Sequence, residues 1–121
     1  MRASDVLKRA LEMLRGGWTS APLSLDAAGV MCPYDDEGIT KFCVHDALWV
    51  ASRGDVFAQQ DAEDLLNNQL RLRGAQSLIR EWCSDWAFDE PNRQMRELRT
   101  HGEVLQLFTV AHAQALTKEQ R

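Results

Sequence analysis

The stretch SDVLKRALEMLRGG, residues 4–17, sets the architecture because it predicts a first helix together with both of its ends. Its apolar residues recur every three or four positions, which is the spacing of a helix that buries one face. These residues are Val6, Leu7, Ala10, Leu11 and Leu14. Ser4 predicts the N-cap and Gly16-Gly17 the C-terminal end, since serine accepts free backbone N–H groups and glycine tolerates left-handed backbone. The apolar face needs other elements to cover it, which predicts a mainly helical core.

Residues 18–38 differ from the first helix because prolines and glycines interrupt them. In PLSLDAAGVMC, residues 22–32, apolar residues alternate on both sides of the turn-like residues 26–29, which predicts a β-hairpin near residues 22–33. An isolated hairpin is only marginally stable in water, so this one must pack against the helices. The YDDEG segment that follows, residues 34–38, predicts an exposed loop, named here the acidic loop.

The rest of the chain predicts further helices. Apolar residues at helical spacing mark residues 38–52, residues 61–73 and residues 75–86. Thr100 and Glu103 form a capping box, in which each side chain accepts the free backbone N–H of the other, and this box starts the last helix. The inner face of that helix is predicted to carry Val104, Leu107, Phe108, Ala111 and Ala115.

Length and composition fit one globular domain. The chain has 121 residues, 45% of them apolar, which suffices for a core without disulfides or metals. We therefore expect a single domain over residues 1–121, mainly α (α+β) in class, with about four to five helices and one small hairpin. No apolar run approaches the roughly 20 residues of a membrane span, and the charged N-terminal helix does not resemble a signal peptide. Cys32, Cys43 and Cys83 lie too far apart to indicate a disulfide framework. These features predict a cytoplasmic protein.

The net charge of −4 is unevenly distributed. Residues 18–70 hold nine acidic and two basic side chains, a balance of −7, whereas the segments on either side are slightly basic. Nucleic-acid binding requires a basic face that displaces counterions from phosphates, so the acidic middle disfavours it. The same imbalance favours a partner protein with a basic surface. A solvated acidic face without a partner is the alternative interpretation.

Residues 41–49, KFCVHDALW, place a cysteine two positions before a histidine. In a helix, Cys43 and His45 would stand roughly 200° apart around the axis and could share neither a metal ion nor a proton. In a strand they would lie on the same face. The helix-forming residues that follow and the non-alternating apolar pattern favour the helix. Cys43 is therefore predicted to be buried and inert.

The sequence predicts no metal site and no cofactor. It contains no C-x-x-C or H-x-x-x-H pair of the kind that zinc sites use. Residues 35–37 lack the ligand spacing of a calcium loop, and neither a glycine-rich phosphate loop nor a G-x-S-x-G elbow is present. Arg93, Arg96 and Arg99 spread over one flank of a helix, where an anion site and a solvated face are the two interpretations.

The chain contains four tryptophans, which is a large number for its length and therefore informative. Trp82 and Trp86 stand four positions apart and are expected to pack together in the core. Trp49 lies off the main apolar stripe of the second helix. If it is exposed near His45 and the acidic loop, it is a candidate binding anchor, because aromatic residues are enriched at interface hot spots; packing beneath the hairpin is the alternative. We predict a contact surface that comprises Asp35, Asp36, Glu37, His45 and Trp49. It is called the contact surface from here on.

Short motifs that span most of the chain occur in a particular order. They are Gly17-Trp18, the D-A-x-G of residues 26–29, the F-C-x-x-x-A-L of residues 42–48, Trp86 with Pro91 and Arg93, and the E-V-L-x-L-F-x-x-A of residues 103–111. This order resembles a family of small bacterial and phage proteins known only as a domain of unknown function (6197-type). The chain departs from the family pattern at Asp46, where a small residue is usual, and at the WAFDE segment, where the family tends to have Trp-Asn-Asp. Since the family has no established activity, the resemblance implies no catalytic role for any residue.

Together these observations lead us to expect a small non-catalytic protein-interaction or regulatory module of bacterial, phage or mobile-element origin. Its acidic surface would contact a basic protein, with no membrane and no nucleic acid involved. The alternative is a small thiol-dependent enzyme with Cys43 as nucleophile and His101 or His112 as its base. The two hypotheses differ in a property that structure can reveal, because a catalytic cysteine must be accessible and lie near a base.

Overall fold

The chain is mainly α-helical with one small antiparallel sheet, as the sequence predicts. The structure is a computed structural model, and it describes residues 1–21, 23–75, 78–82 and 100–120. In chain order its elements are α1 (Ala3–Gly16), β1 (Ser24–Asp26), β2 (Met31–Cys32), β3 (Ile39–Lys41), α2 (Val44–Ser52), α3 (Val56–Leu72), α4 (Ile79–Trp82) and α5 (His101–Glu119). Cys83, Trp86, Pro91, Arg93, Arg96 and Arg99 lie outside the described residues, as does half of the helix predicted at residues 75–86.

Helix α1 lies at the centre of the core. The five apolar residues of its predicted stripe are all buried, and the helix packs against α2, α3 and α5. The predicted inner face of α5 is also buried in full. Full burial of one large aliphatic side chain contributes about 1.5–3 kcal/mol, so these two stripes supply much of the stabilisation of the fold.

The N-terminus of α1 begins at a different residue from the one predicted. Arg2 is the N-cap, and Ser4 lies inside the first turn, where it is buried. The Ser4 N–H and hydroxyl both donate to the Glu119 carboxylate at the end of α5, at 3.2 and 2.6 Å. The first N–H groups of a helix have no partner within it and attract negative charge. Sequence alone did not reveal this partner, because it lies 115 positions away.

The C-terminus of α1 ends in the predicted glycines, but for another reason. Gly17 has a φ of 161°, which is extended rather than left-handed backbone. A Cβ atom at this position would overlap the carbonyl oxygen of Thr40, so only glycine allows this close approach. In addition, the Leu14 carbonyl in the last turn of the helix accepts the Gly17 N–H at 3.2 Å and also hydrogen-bonds to the His101 ring nitrogen Nε2.

The predicted hairpin is present, and a third strand joins it. β1 pairs antiparallel with β2 on one side and with β3 on the other, in the order β2-β1-β3. The turn is held by the Asp26 carboxylate, which accepts the N–H groups of Ala28 and Val30 at 2.9 and 3.0 Å. Gly29 adopts a left-handed φ of 79° there, which glycine accepts without steric strain.

The prediction of a helix over residues 38–52 was wrong for residues 38–43. Ile39–Lys41 form β3, and the helix begins only at Val44. The backbone of Phe42 is also used in pairing, since its N–H donates to Gly17 and its carbonyl accepts from Thr19, at 2.9 and 3.0 Å. The apolar spacing of this stretch imitates a helix, but pairing with distant strands fixes its conformation.

Helix α3 starts five residues earlier than predicted. Asp55 is its N-cap and accepts the Ala58 N–H at 3.0 Å. The first-turn residues Val56 and Phe57 are 60% and 83% exposed, so no buried stripe marks this turn in the sequence. At the other end, Gly74 has a left-handed φ of 81° and ends the helix.

The capping box of α5 is confirmed. The Thr100 hydroxyl accepts the Glu103 N–H at 3.1 Å, and the Glu103 carboxylate accepts the Thr100 N–H at 3.2 Å. Because the substitution Thr100→Ala removes one capping acceptor, we expect it to lower the free energy of unfolding by about 1 kcal/mol. Chemical denaturation followed by circular dichroism measures this change.

Thr109→Ala is the matched control for the cap. The Thr109 hydroxyl bonds to the Leu105 carbonyl within the helix and caps nothing, so its loss should change the free energy by less than about 0.5 kcal/mol. Equal effects of the two substitutions would contradict a capping role for Thr100.

Candidate interaction surface

A buried polar cluster joins the sheet to the start of α2. The Ser24 hydroxyl, fully buried on β1, accepts the Cys43 N–H at 3.2 Å and donates to the Asp46 carboxylate at 2.7 Å. Cys43 is the N-cap of α2, and its sulfur accepts the Asp46 N–H at 3.4 Å. Asp46 therefore turns its carboxylate inward to Ser24, and the residue is only 6% exposed.

The cysteines of this region are buried and uncharged. Cys43 is 6% exposed and Cys32 7%. Burial raises the pKa of the Cys43 thiol, and the Asp46 carboxylate raises it further, while hydrogen bonds from Asp46 N–H and Ser24 oppose the shift. Burial also raises the pKa of Cys32, with the carboxylates of Asp36, Asp26 and Asp46 acting in the same direction. A reactive thiol needs a lowered pKa and access to solvent, so these are the surroundings of structural cysteines.

The histidines do not supply a base to Cys43. His45 is exposed on α2, whereas the Cys43 thiol is buried. His101 uses Nε2 on the Leu14 carbonyl and stacks on Trp18, with ring centroids 6.1 Å apart. His112 is half-buried on α5. Within the described residues, no hydrogen bond joins Cys43 to a histidine, and no group of three or more potential ligands is placed to hold a metal ion.

Trp49 is exposed and contacts an aromatic residue of the acidic loop. Its side chain is 38% exposed and meets Tyr34, itself 47% exposed, in an edge-to-face contact with centroids 6.1 Å apart and planes at 73°. His45 stands one helical turn before Trp49 and therefore on the same side of α2. Tyr34 was missed as a site residue, although its position directly before the acidic run was a usable signal. We add it to the contact surface.

The acidic loop is built from two successive turns. The Asp36 N–H donates to the Pro33 carbonyl at 3.0 Å, and the Asp36 carboxylate accepts the Gly38 N–H at 2.7 Å. Asp35 and Glu37 are exposed, and neither carboxylate has a hydrogen bond or ion pair with any described residue. The loop therefore has a defined backbone and presents at least two negative charges that no cation of the described residues compensates.

The nine acidic side chains of residues 18–70 do not form one surface. Asp46 and Glu63 are buried, while Asp26 and Asp55 accept N–H groups at the hairpin turn and at the start of α3. The exposed ones fall into two groups, the first in the acidic loop and the second on α3: Asp35, Asp36 and Glu37, and Asp61 and Asp64. Only the first group adjoins an exposed aromatic pair in the described part of the chain.

A separate groove of about 910 Å³ lies where the start of α1 meets α3 and the end of α5. Its described lining contains neither cysteine nor histidine. Two of its carboxylates are already bound, Glu119 by Ser4 and Asp64 by the Gln60 amide at 2.9 Å. The groove includes no residue of the contact surface and brings together no nucleophile with a base.

Comparison with known proteins places the chain in a family. The family model described as a family of unknown function, DUF6197, matches residues 1–114. The chain belongs to this family. No curated protein and no solved structure matches it. Across the described residues, no helix of this DUF6197 protein has both the length and the apolar character needed to cross a bilayer.

The motif residues that carry the DUF6197 resemblance serve the fold in the described part of the chain. Gly17 permits the approach to Thr40, Asp26 holds the hairpin turn, Cys43 caps α2 and Glu103 completes the capping box of α5. None of these residues belongs to the contact surface. Membership of the DUF6197 family therefore concerns the fold of the chain. It gives no support to the contact surface, which rests on the chemistry of its own residues.

The buried thiols give a direct prediction. Because burial raises their pKa values, Cys32 and Cys43 stay protonated in the folded protein at a pH where an unfolded thiol begins to ionise. We expect iodoacetamide to alkylate both at least on the order of tenfold more slowly in the native than in the denatured protein. Peptide-resolved mass spectrometry measures the two sites separately. Rapid native labelling of Cys43 would contradict its burial and restore the enzyme hypothesis.

Ser24→Ala tests the buried polar cluster. The substitution leaves the Cys43 N–H and the Asp46 carboxylate without their shared partner in a buried site, so we expect a loss of about 1–3 kcal/mol in the free energy of unfolding. Denaturant titration measures it. Ser20→Ala is the control, because the Ser20 hydroxyl has no hydrogen bond to the described residues. A loss as small as that of Ser20→Ala would show that the cluster does not hold the sheet.

Proposed function

We propose that this DUF6197 protein is a non-catalytic interaction or regulatory module whose contact surface binds a basic segment of another protein. The proposal includes a cytoplasmic setting in a bacterium or a mobile element, in line with the family resemblance. The observation that carries it is the exposed Tyr34–Trp49 pair at the edge of the acidic loop.

The chemistry of the contact surface supports a basic partner. Large aromatic side chains contribute strongly when an interface covers them, since they bury much area at low entropic cost. Asp35 and Glu37 lie in the same short segment as Tyr34 and lack a compensating cation among the described residues. Charges at the rim of an interface select the partner by sign and accelerate its approach. An anionic partner would meet repulsion here.

The placement of the apolar residues also supports binding at this end of the molecule. Val30 and Met31, just before the acidic loop, are 58% and 53% exposed. Met31 belongs to β2, an edge strand of the sheet. Edge strands leave backbone groups unpaired and are common docking sites for extended segments. A basic segment with apolar residues could therefore use the rings, the edge strand and the carboxylates together.

A titration with a synthetic peptide tests the proposal. We expect a basic peptide that mixes lysine, arginine and aliphatic residues to shift the backbone amide signals of residues 30–32, 34–37 and 44–50 and the indole N–H signal of Trp49. Two-dimensional ¹H–¹⁵N NMR measures these shifts. A peptide with glutamate in place of each basic residue is the control. Absence of binding, or shifts confined to other parts of the chain, would refute the proposal.

Neutralising the acidic loop should slow binding without weakening the fold. The variant Asp35→Asn, Asp36→Asn and Glu37→Gln removes three charges, and the amide that replaces the Asp36 carboxylate keeps an oxygen to accept the Gly38 N–H. We expect the association rate of the basic peptide to fall on the order of tenfold at low salt and to depend less on salt concentration. The unfolding midpoint should stay unchanged, since exposed charges contribute little. Stopped-flow fluorescence with a labelled peptide measures the rate.

The control variant has the same change in net charge at other sites. Glu12→Gln, Asp61→Asn and Asp64→Asn alter exposed side chains of α1 and α3. If this variant slows association as much as the loop variant does, the effect comes from the net charge, and the loop is not the docking surface.

A further inference from the structure

We propose that the contact surface recognises an arginine side chain of its basic partner, with the guanidinium lying over the Trp49 ring and bonded to a carboxylate of the acidic loop. This inference rests on the proposed function and narrows it to one kind of side chain. It starts from the arrangement of the rings. An edge-to-face pair covers at most one face of one ring, and both Tyr34 and Trp49 remain substantially exposed.

A partly exposed aromatic pair next to carboxylates that no described residue pairs is an environment for a cation. The face of an aromatic ring carries negative charge, and tryptophan binds cations more strongly than tyrosine or phenylalanine. Asp35 follows Tyr34 directly in the chain, so its Cα atom lies about 3.8 Å from that of Tyr34. Because Tyr34 contacts Trp49, the loop that carries Asp35 adjoins the ring pair. Glu37 carries a second carboxylate of this loop that is exposed and has no partner among the described residues.

Arginine fits this environment better than lysine. Its guanidinium is planar, so it can stack on a ring while its edge donates two hydrogen bonds to a carboxylate. A lysine ammonium is a compact and strongly hydrated charge, and it cannot satisfy a flat ring and a carboxylate with the same geometry. The inner part of an arginine side chain would also cover apolar surface beside the rings.

The fold holds this arrangement in place. The two turns centred on Asp36 set the loop backbone, and the Ser24 cluster fixes the start of α2, which carries Trp49. A site whose parts are already ordered loses less entropy on binding. Phe57 is 83% exposed at the start of α3, but it has no aromatic partner among the described residues.

Two peptides that differ only in their basic residues test the inference. One carries arginine and the other lysine at each basic position, and isothermal titration calorimetry gives both affinities. We expect the arginine peptide to bind about two- to fivefold more tightly to the native protein. In Trp49→Leu, which keeps apolar area but has no aromatic face, the preference should fall to near one. Trp49→Phe should retain part of it. Phe57→Leu, an equivalent change on α3, should leave it unchanged.

The outcomes separate the inference from the proposed function. Equal affinities for the two peptides, with NMR shifts at the contact surface, would refute arginine recognition and leave the basic partner in place. A preference that persists in Trp49→Leu would refute the role of that ring. Failure of both peptides to bind would refute both proposals. If circular dichroism shows that Trp49→Leu does not fold, Trp49→Met, which also has apolar area without an aromatic face, replaces it, and an unchanged preference in that variant would overturn the inference.

Discussion

The packing of α1 against α5 organises the whole molecule. The two helices pack along their apolar stripes, and each end of α1 is held by a side chain from the opposite end of α5. Glu119 accepts two hydrogen bonds from Ser4, and His101 bonds the carbonyl of Leu14. Hydrogen bonds to a charged group contribute about 1.5–3 kcal/mol. Because the polar contacts lie at the ends and the apolar contacts between them, the register of the antiparallel pair is fixed, and α2 and α3 pack against it.

The sheet is attached to this helical core through Ser24. A three-stranded sheet of such short strands would be marginal by itself. Ser24 ties β1 to the first turn of α2, and Gly17 brings the end of α1 against β3. The contact surface follows from this attachment. The acidic loop connects β2 to β3, and Trp49 lies a little more than one turn into α2, so fixing the sheet on α2 brings the two together.

The chain uses separate residues for its architecture and for its proposed contacts. The described residues that carry the DUF6197 resemblance cap helices, hold turns or allow backbone to approach, and they lie apart from the contact surface. Even the departure at Asp46 has a structural explanation, since its buried carboxylate is paired with the Ser24 hydroxyl. Surface residues such as Tyr34, Asp35 and Glu37 bear little on packing. These residues can therefore be substituted without disturbing the fold.

Features that depend on local spacing could be predicted from the chain alone. The buried stripes of α1 and α5, the capping box at Thr100 and the hairpin turn at Asp26 each rest on residues within a few positions of one another, so their periodicity and caps are visible in the sequence. The exposure of the acidic loop could be predicted for the same reason. Strand β3 could not, because Ile39–Lys41 have helical spacing and become a strand through pairing with β1. Long-range packing also settled which acidic residues face solvent, since Asp46 turns inward to the hydroxyl of Ser24. The meeting of Tyr34 with Trp49 has the same origin, as side chains 15 positions apart become neighbours only when strands and helix are packed together.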